Sequence, residues 1–286
     1  MNMRSAALAA LLGLPLALAA TPPVLAQSEA GTVASAMTTE ELMRATALDE
    51  VFAQFGPSME HSPRDQGVPM PAQLATAWSE AAREVFNART MQVELTRLLD
   101  DKFTSDDYAA FAAFFNSGFG VRVSDIERRV TAMPPEAQFD ARADGLALAG
   151  AAQGSHRARQ IDEMLDLVSA EIASAMIRQS MRGMLLGMYV NSSQGDIEVP
   201  WEEIDAQLDF IMPGIEADVA LTQRAMMFYA YRELEDAELD RYLDFLRTEP
   251  ARKFYALAAY AIGRIITQRM ETFGETLSRK LDRVSV

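Results

Sequence analysis

The sequence predicts an all-α multi-helix bundle, organised as two duplicated helix-hairpin modules. Three observations point there. Apolar residues recur at three- and four-residue spacing from Thr38 to the C-terminus, no window sustains period-two alternation, and capping patterns precede the apolar runs. With 49% hydrophobic and 23% charged residues, the chain has ample apolar surface for a core and too much for disorder.

The elements follow in order. Residues 1–26 read as a secretion signal: Arg4 begins it, Ala6 to Ala20 form a short apolar run, and Val24-Leu25-Ala26 offers a small-residue cleavage site before Gln27. A membrane anchor is the competing reading, but the run falls short of the roughly 20 residues a spanning helix needs. Thr38 with Glu41 forms a capping box, followed by Leu42, Leu48, Phe52 and Phe55 on one face. Gly56-Pro57 is expected to end that helix, with a polar loop running to Pro69. Leu74, Trp78, Ala81 and Val85 open a long helix that continues through Leu95, Leu98 and Leu99. Thr104 with Asp107 starts a short helix carrying Tyr108, Phe111 and Phe115. Ser117-Gly118 breaks it, and Val123, Ile126 and Val130 continue helically to Pro134-Pro135.

The first module thus spans residues 27–135. Residues 136–156 are rich in Ala and Gly and poor in large apolar side chains; they read as a linker holding one weak helix. The second module, 157–286, repeats the plan. Ile161, Leu165, Val168, Ile172, Met176 and Met184 share a helix ended by Gly187, and a polar loop runs to Pro200. Trp201 begins a long helix with Pro213 as an expected kink. Asp236 to Leu246 is a short helix, Thr248-Glu249-Pro250 a turn, and a final helix runs from Ala251 to near Leu281.

Overlaying the halves at an offset of 131 residues aligns Gly56 with Gly187, Asp65 with Asp196, Val68-Pro69 with Val199-Pro200, Phe103 with Leu234, Asp107 with Glu238, Phe111 with Tyr242 and Phe114 with Phe245. Helical periodicity alone matches apolar positions, but not coincident Gly and Val-Pro loop positions; an internal duplication accounts for both. The segments Phe114-Phe115-Asn116-Ser117-Gly118-Phe119-Gly120 and Phe245-Leu246-Arg247-Thr248-Glu249-Pro250-Ala251-Arg252-Lys253 carry a Phe-aromatic or Phe-Leu pair, a hydroxyl turn and a small residue. This pattern resembles exported bacterial proteins with the domain of unknown function numbered 2059. The resemblance implies small exported helical domains and transfers no catalytic residue.

Composition narrows function by exclusion. Losing Arg4 leaves 25 basic against 41 acidic residues, a net charge of −16 that repels nucleic acid and anionic lipid heads. With no cysteine, disulfides, thiolate metal sites, thiol nucleophiles and lipidation of an N-terminal cysteine are excluded. The two histidines, His61 and His156, fall in the expected first loop and linker. His61 lies near Glu60 and Asp65, yet no metal-ligand spacing surrounds it. Acid pairs such as Asp100-Asp101, Asp106-Asp107, Glu202-Glu203 and Glu233/Glu235 fall at helix ends, where capping explains them. General acid–base work would need a carboxyl buried with a raised pKa. No phosphate loop, dinucleotide fingerprint or nucleophile elbow is present.

Met176, Met181, Met184 and Met188 form a candidate apolar binding face, with core packing as the competing reading. The run from Phe254 to Ile266 is either the central core helix or a self-association face. The sequence therefore predicts an exported protein, periplasmic in a Gram-negative bacterium or secreted beyond it, without cofactor, metal, nucleic-acid partner or stable membrane insertion. Its expected role is non-enzymatic: a protein-interaction or structural envelope factor acting on an unknown partner or on itself. The alternative is a chaperone-like carrier holding an apolar peptide or acyl chain on the Met face. A carboxylate hydrolase is the remaining option.

Overall fold

The computed structural model describes residues 37–50, 52–53, 55–65, 72–168, 178, 181–182 and 201–284. Among the described residues every regular element is helical: α1 (Thr39–Ala45), α2 (Phe55–Asp65), α3 (Ala72–Val85), α4 (Ala88–Leu99), α5 (Ser105–Phe115), α6 (Gly118–Thr131), α7 (Pro135–Ala151), α8 (His156–Leu167), α9 (Trp201–Ala230), α10 (Asp236–Leu246) and α11 (Glu249–Val284). Short 3-10 turns at Leu48–Glu50 and Tyr231–Glu233 join α1 to α2 and α9 to α10. The chain is an all-α bundle. No helix among the described residues is long and apolar enough to cross a membrane. The residues read as a signal, the end of the expected first loop at 66–69 and the expected loop from Gly187 to Pro200 lie outside the described residues.

Local chemistry sets most boundaries. Thr38 and Glu41 cap α1 reciprocally, as Thr104 and Asp107 cap α5. Other boundaries differ from expectation. The apolar stripe from Leu42 to Phe55 is not one helix, because Ala47 takes a left-handed conformation (φ 57°) that ends α1. Gly56-Pro57 opens α2 rather than ending its predecessor; in a first turn the missing proline N–H has no helical partner to lose. The long helix through Leu99 is two helices. Asn87 turns extended and its side chain accepts from Thr90 N at 3.0 Å, starting α4 afresh. The helix carrying Ile161 stops at Leu167, with Val168 as its C-cap. In α9 the helix runs through Pro213.

The segment read as a linker is the 17-residue helix α7, packed along α9. Its buried small residues, Ala141, Gly145 and Ala149, serve close packing instead of slack. A Cβ added at Gly145 would lie 2.0 Å from the Ala225 carbonyl oxygen, so the two backbones meet where only glycine fits. Arg142 then reaches across to Asp218 and Thr222, both at 2.8 Å.

One apolar core runs through both halves of the chain. It includes Leu42, Phe86, Leu95, Phe111 and Ile126 from the first and Tyr231, Leu243, Phe254, Ile265 and Phe273 from the second. The stretch Phe254 to Ile266 is the core face of α11, with Tyr255, Ala258, Ala261, Ile262, Ile265 and Ile266 buried. That helix crosses back over α3 and α4, where Phe273 meets Trp78 edge-on at 4.8 Å.

The corners α5–α6 and α10–α11 are built alike at the 131-residue offset. Both short helices have 11 residues and a capping box. Ser117 Oγ donates to the Phe114 carbonyl (2.6 Å) and accepts from Gly120 N (2.9 Å); Thr248 Oγ1 donates to the Phe245 carbonyl (2.7 Å) and accepts from Ala251 N (3.4 Å). The corners face each other reciprocally. Arg122 of the first pairs with Glu238 of the second (2.5 Å), and the equivalent Lys253 pairs with Asp107 (2.9 Å). Between them the equivalent rings of Phe114 and Phe245 stack on each other, 3.8 Å apart and 8° from parallel. A residue touching its own equivalent, flanked by exchanged contacts, is the signature of a twofold interface. Replacing Ser117 by Ala should cost about 1 kcal/mol through the lost cap, lowering the melting temperature by roughly 2–4 °C. Thr248→Ala should cost less, because its cap bond is longer.

Candidate functional site

The helix α6 presents Phe119, Val123, Ile126 and Val130 to the core, and Glu127 lies on the same face, four residues after Val123 and three before Val130. Its side chain is 1% exposed. Three tyrosines converge on it from the second half: Tyr231 from the 3-10 turn after α9, Tyr242 from α10 and Tyr255 from α11. The Tyr231 and Tyr242 hydroxyls both donate to Glu127 Oε1, each at 2.6 Å, and Tyr255 lies 3.3 Å from the Tyr242 hydroxyl. Glu127 Oε2 is buried and has no hydrogen-bond partner; neither does the buried Ser124 Oγ one turn earlier.

Burial pushes the Glu127 carboxyl up to about 7, against the downward pull of the two phenol donors. Burial and the neighbouring carboxylate push the Tyr231 and Tyr242 hydroxyls well above their ordinary range, so both remain donors at neutral pH. Among the described residues no cation hydrogen-bonds to the carboxyl; on the same helix, Arg128 reaches the Arg44 carbonyl and Arg129 reaches Glu233. The cluster ties α6 to the second half, and in this conformation the carboxyl is out of reach of any dissolved substrate.

A second feature opens to solvent. Between α1, the 3-10 turn and α4 lies a groove of about 480 Å³. Met43 and Phe52 form its floor, Val93 stands 53% exposed on its wall, and Glu40, Arg44, Asp49 and Arg89 ring it. Burial raises the Asp49 carboxyl against the pull of Arg128 and Arg44. At the base, Gln92 Oε1 is buried without a partner. The volume falls within the roughly 300–1,000 Å³ of small-molecule sites.

No family model, curated protein or solved structure matches the chain.

Of the residues singled out from sequence, Met176, Met184 and Met188 lie outside the described residues. Met181 is half-buried; its neighbours Arg178 and Arg182 pair with Asp209 and Asp205 of α9, setting that segment alongside α9. His61 is exposed within α2, its Nδ1 2.8 Å from the Pro57 carbonyl. His156 opens α8 instead of lying in a linker, its Nε2 3.2 Å from Asp240. No group of three His, Asp or Glu side chains suited to a metal occurs among the described residues. The Asp107 and Glu238 carboxylates at helix starts do more than cap, since each also pairs with the opposite corner. Local sequence reasoning misses Glu127, because its partners come from the second half of the chain. The spacing that puts it among Val123, Ile126 and Val130 was the available signal.

Proposed function

We propose that the protein is a non-enzymatic exported helical factor that binds another protein, with the groove between α1 and α4 as its contact site. The observation that carries this reading is the open groove, with Met43 and Phe52 below an exposed Val93. An amphipathic segment laid there would bury its apolar side chains on the floor and set its polar ones among rim charges of both signs. Among the described residues the carboxyl that burial raises most is Glu127, and its place sealed in the core favours the non-enzymatic reading.

Export with cleavage after Ala26, into the periplasm or beyond, belongs to the same reading. So does descent from two copies of a unit resembling the domain of unknown function numbered 2059. The matched corner lengths, capping boxes and hydroxyl turns support the duplication. The groove's size and its Met43 floor also suit the second reading, a carrier for an acyl chain or apolar peptide.

A photo-activated cross-linking residue at Val93 tests these readings in the producing cells. A discrete protein adduct at Val93, absent from the same substitution at the exposed Phe210, is the expected result. An adduct of lipid mass would favour the carrier. Equal labelling at both positions, or none at Val93, would remove the groove from consideration.

A further inference from the structure

We propose that Glu127 and its tyrosines form a proton-controlled latch between the two halves of the chain, closed while the carboxyl holds its proton and loosened when it loses it. The geometry is that of a junction. One carboxyl on α6 receives hydrogen bonds from the 3-10 turn and from α10, and Tyr255 of α11 stands behind them. Both donors share a single oxygen, so the share of a carboxylate's delocalised charge on Oε2 would lie buried without a partner. Burial without a countercharge disfavours the ion and outweighs the two phenol donors that favour it.

The groups facing the carboxyl are Tyr231, Tyr242 and Tyr255, all uncharged at neutral pH. The nearby charges point elsewhere: Arg128 to the Arg44 carbonyl, Arg129 to Glu233, and Arg241 over the Phe119 ring. Ionisation therefore has no countercharge among the described residues in the closed state, and the ion is solvated only on opening. The twofold partner positions make the contrast internal to the molecule. At the 131-residue offset, Glu127, Tyr231, Tyr242 and Tyr255 correspond to Ala258, Asp100, Phe111 and Ser124, and Asp100 is exposed, so only one of the two equivalent sites holds a buried carboxyl.

The sign follows from the raised carboxyl. In an opened state Glu127 returns to an ordinary carboxyl near 4.5, whereas closed it titrates near 7. Between those values opening releases a proton, so the opening equilibrium rises roughly tenfold per pH unit and levels off above about pH 7. The closed latch is thus fully favoured below pH 4.5 and progressively lost as the pH rises.

Hydrogen exchange on the full chain from pH 5 to 8, corrected for intrinsic rates, reads this at amides of α6, the 3-10 turn and α10. Protection in the wild type should fall about tenfold per unit and flatten near pH 7, and the fall should be absent in Glu127→Gln. Wild-type protection that does not change with pH, or an unchanged slope in the variant, would overturn the latch. Should Glu127→Gln fail to fold, Tyr242→Phe serves: losing one donor should move the flattening to higher pH. An unmoved profile there counts equally against the proposal.

Discussion

Gly120→Ala should destabilise the protein by about 3 kcal/mol or more, out of proportion to one methyl group. The added Cβ would lie 2.0 Å from the Phe114 carbonyl oxygen, 2.7 Å from its carbon and 2.9 Å from Phe115 Cα. All three are backbone atoms of the preceding helix, and no side-chain rotation relieves the clash. The hydroxyl turn must widen, which breaks the 2.9 Å bond from Gly120 N to Ser117 Oγ. The second corner shows the widened form: Ala251 occupies the equivalent position, and its N–H to Thr248 bond is 3.4 Å. The comparison makes the prediction asymmetric. Ala251→Gly should cost only about 1–2 kcal/mol, from backbone entropy and a lost buried methyl. Chemical denaturation of both variants checks it, and equal costs would mean the corners are not packed as described.

Phe245→Ala should cost about 3–5 kcal/mol. The ring is 8% exposed, lies flat on Phe114, and meets Phe115 edge-on at 5.3 Å. Removing it opens a cavity where the two corners meet, so the loss includes a packing term beyond transfer. Phe114, half-buried, should cost less on its own. Because the two rings touch, the double variant should fall short of additivity by about 0.5–1.5 kcal/mol. Strict additivity would show that the stack contributes nothing.

What could be read from the chain beforehand was whatever is encoded within a helical turn or two. Thr38 with Glu41 and Thr104 with Asp107 are capping boxes in the structure as in the sequence, and the helix Asp236–Leu246 has the expected bounds. Turn-forming Thr248-Glu249-Pro250 likewise stands where α11 begins. Ala47 gave no warning, because alanine in a left-handed conformation is held there by its surroundings and not by its own preference. Nor could composition separate a slack linker from a helix pressed against another: α7 owes Gly145 to Ala225, some eighty positions away. The buried site divided in the same way. Glu127 sits at a legible position on an apolar stripe, but its three tyrosine partners come from other helices and no local pattern names them. The groove at Met43 and Val93 depends on the break at Ala47, which hid it.

The arrangement of the corners is the claim on which the buried latch and the shared core depend, and the absence of cysteine makes it directly measurable. Two double variants, Asp107→Cys with Lys253→Cys and Arg122→Cys with Glu238→Cys, place thiols on the reciprocal pairs. With a short bismaleimide, both should bridge within a single chain and at similar rates. Bridging of only one pair, or bridging only between chains, would contradict the face-to-face packing.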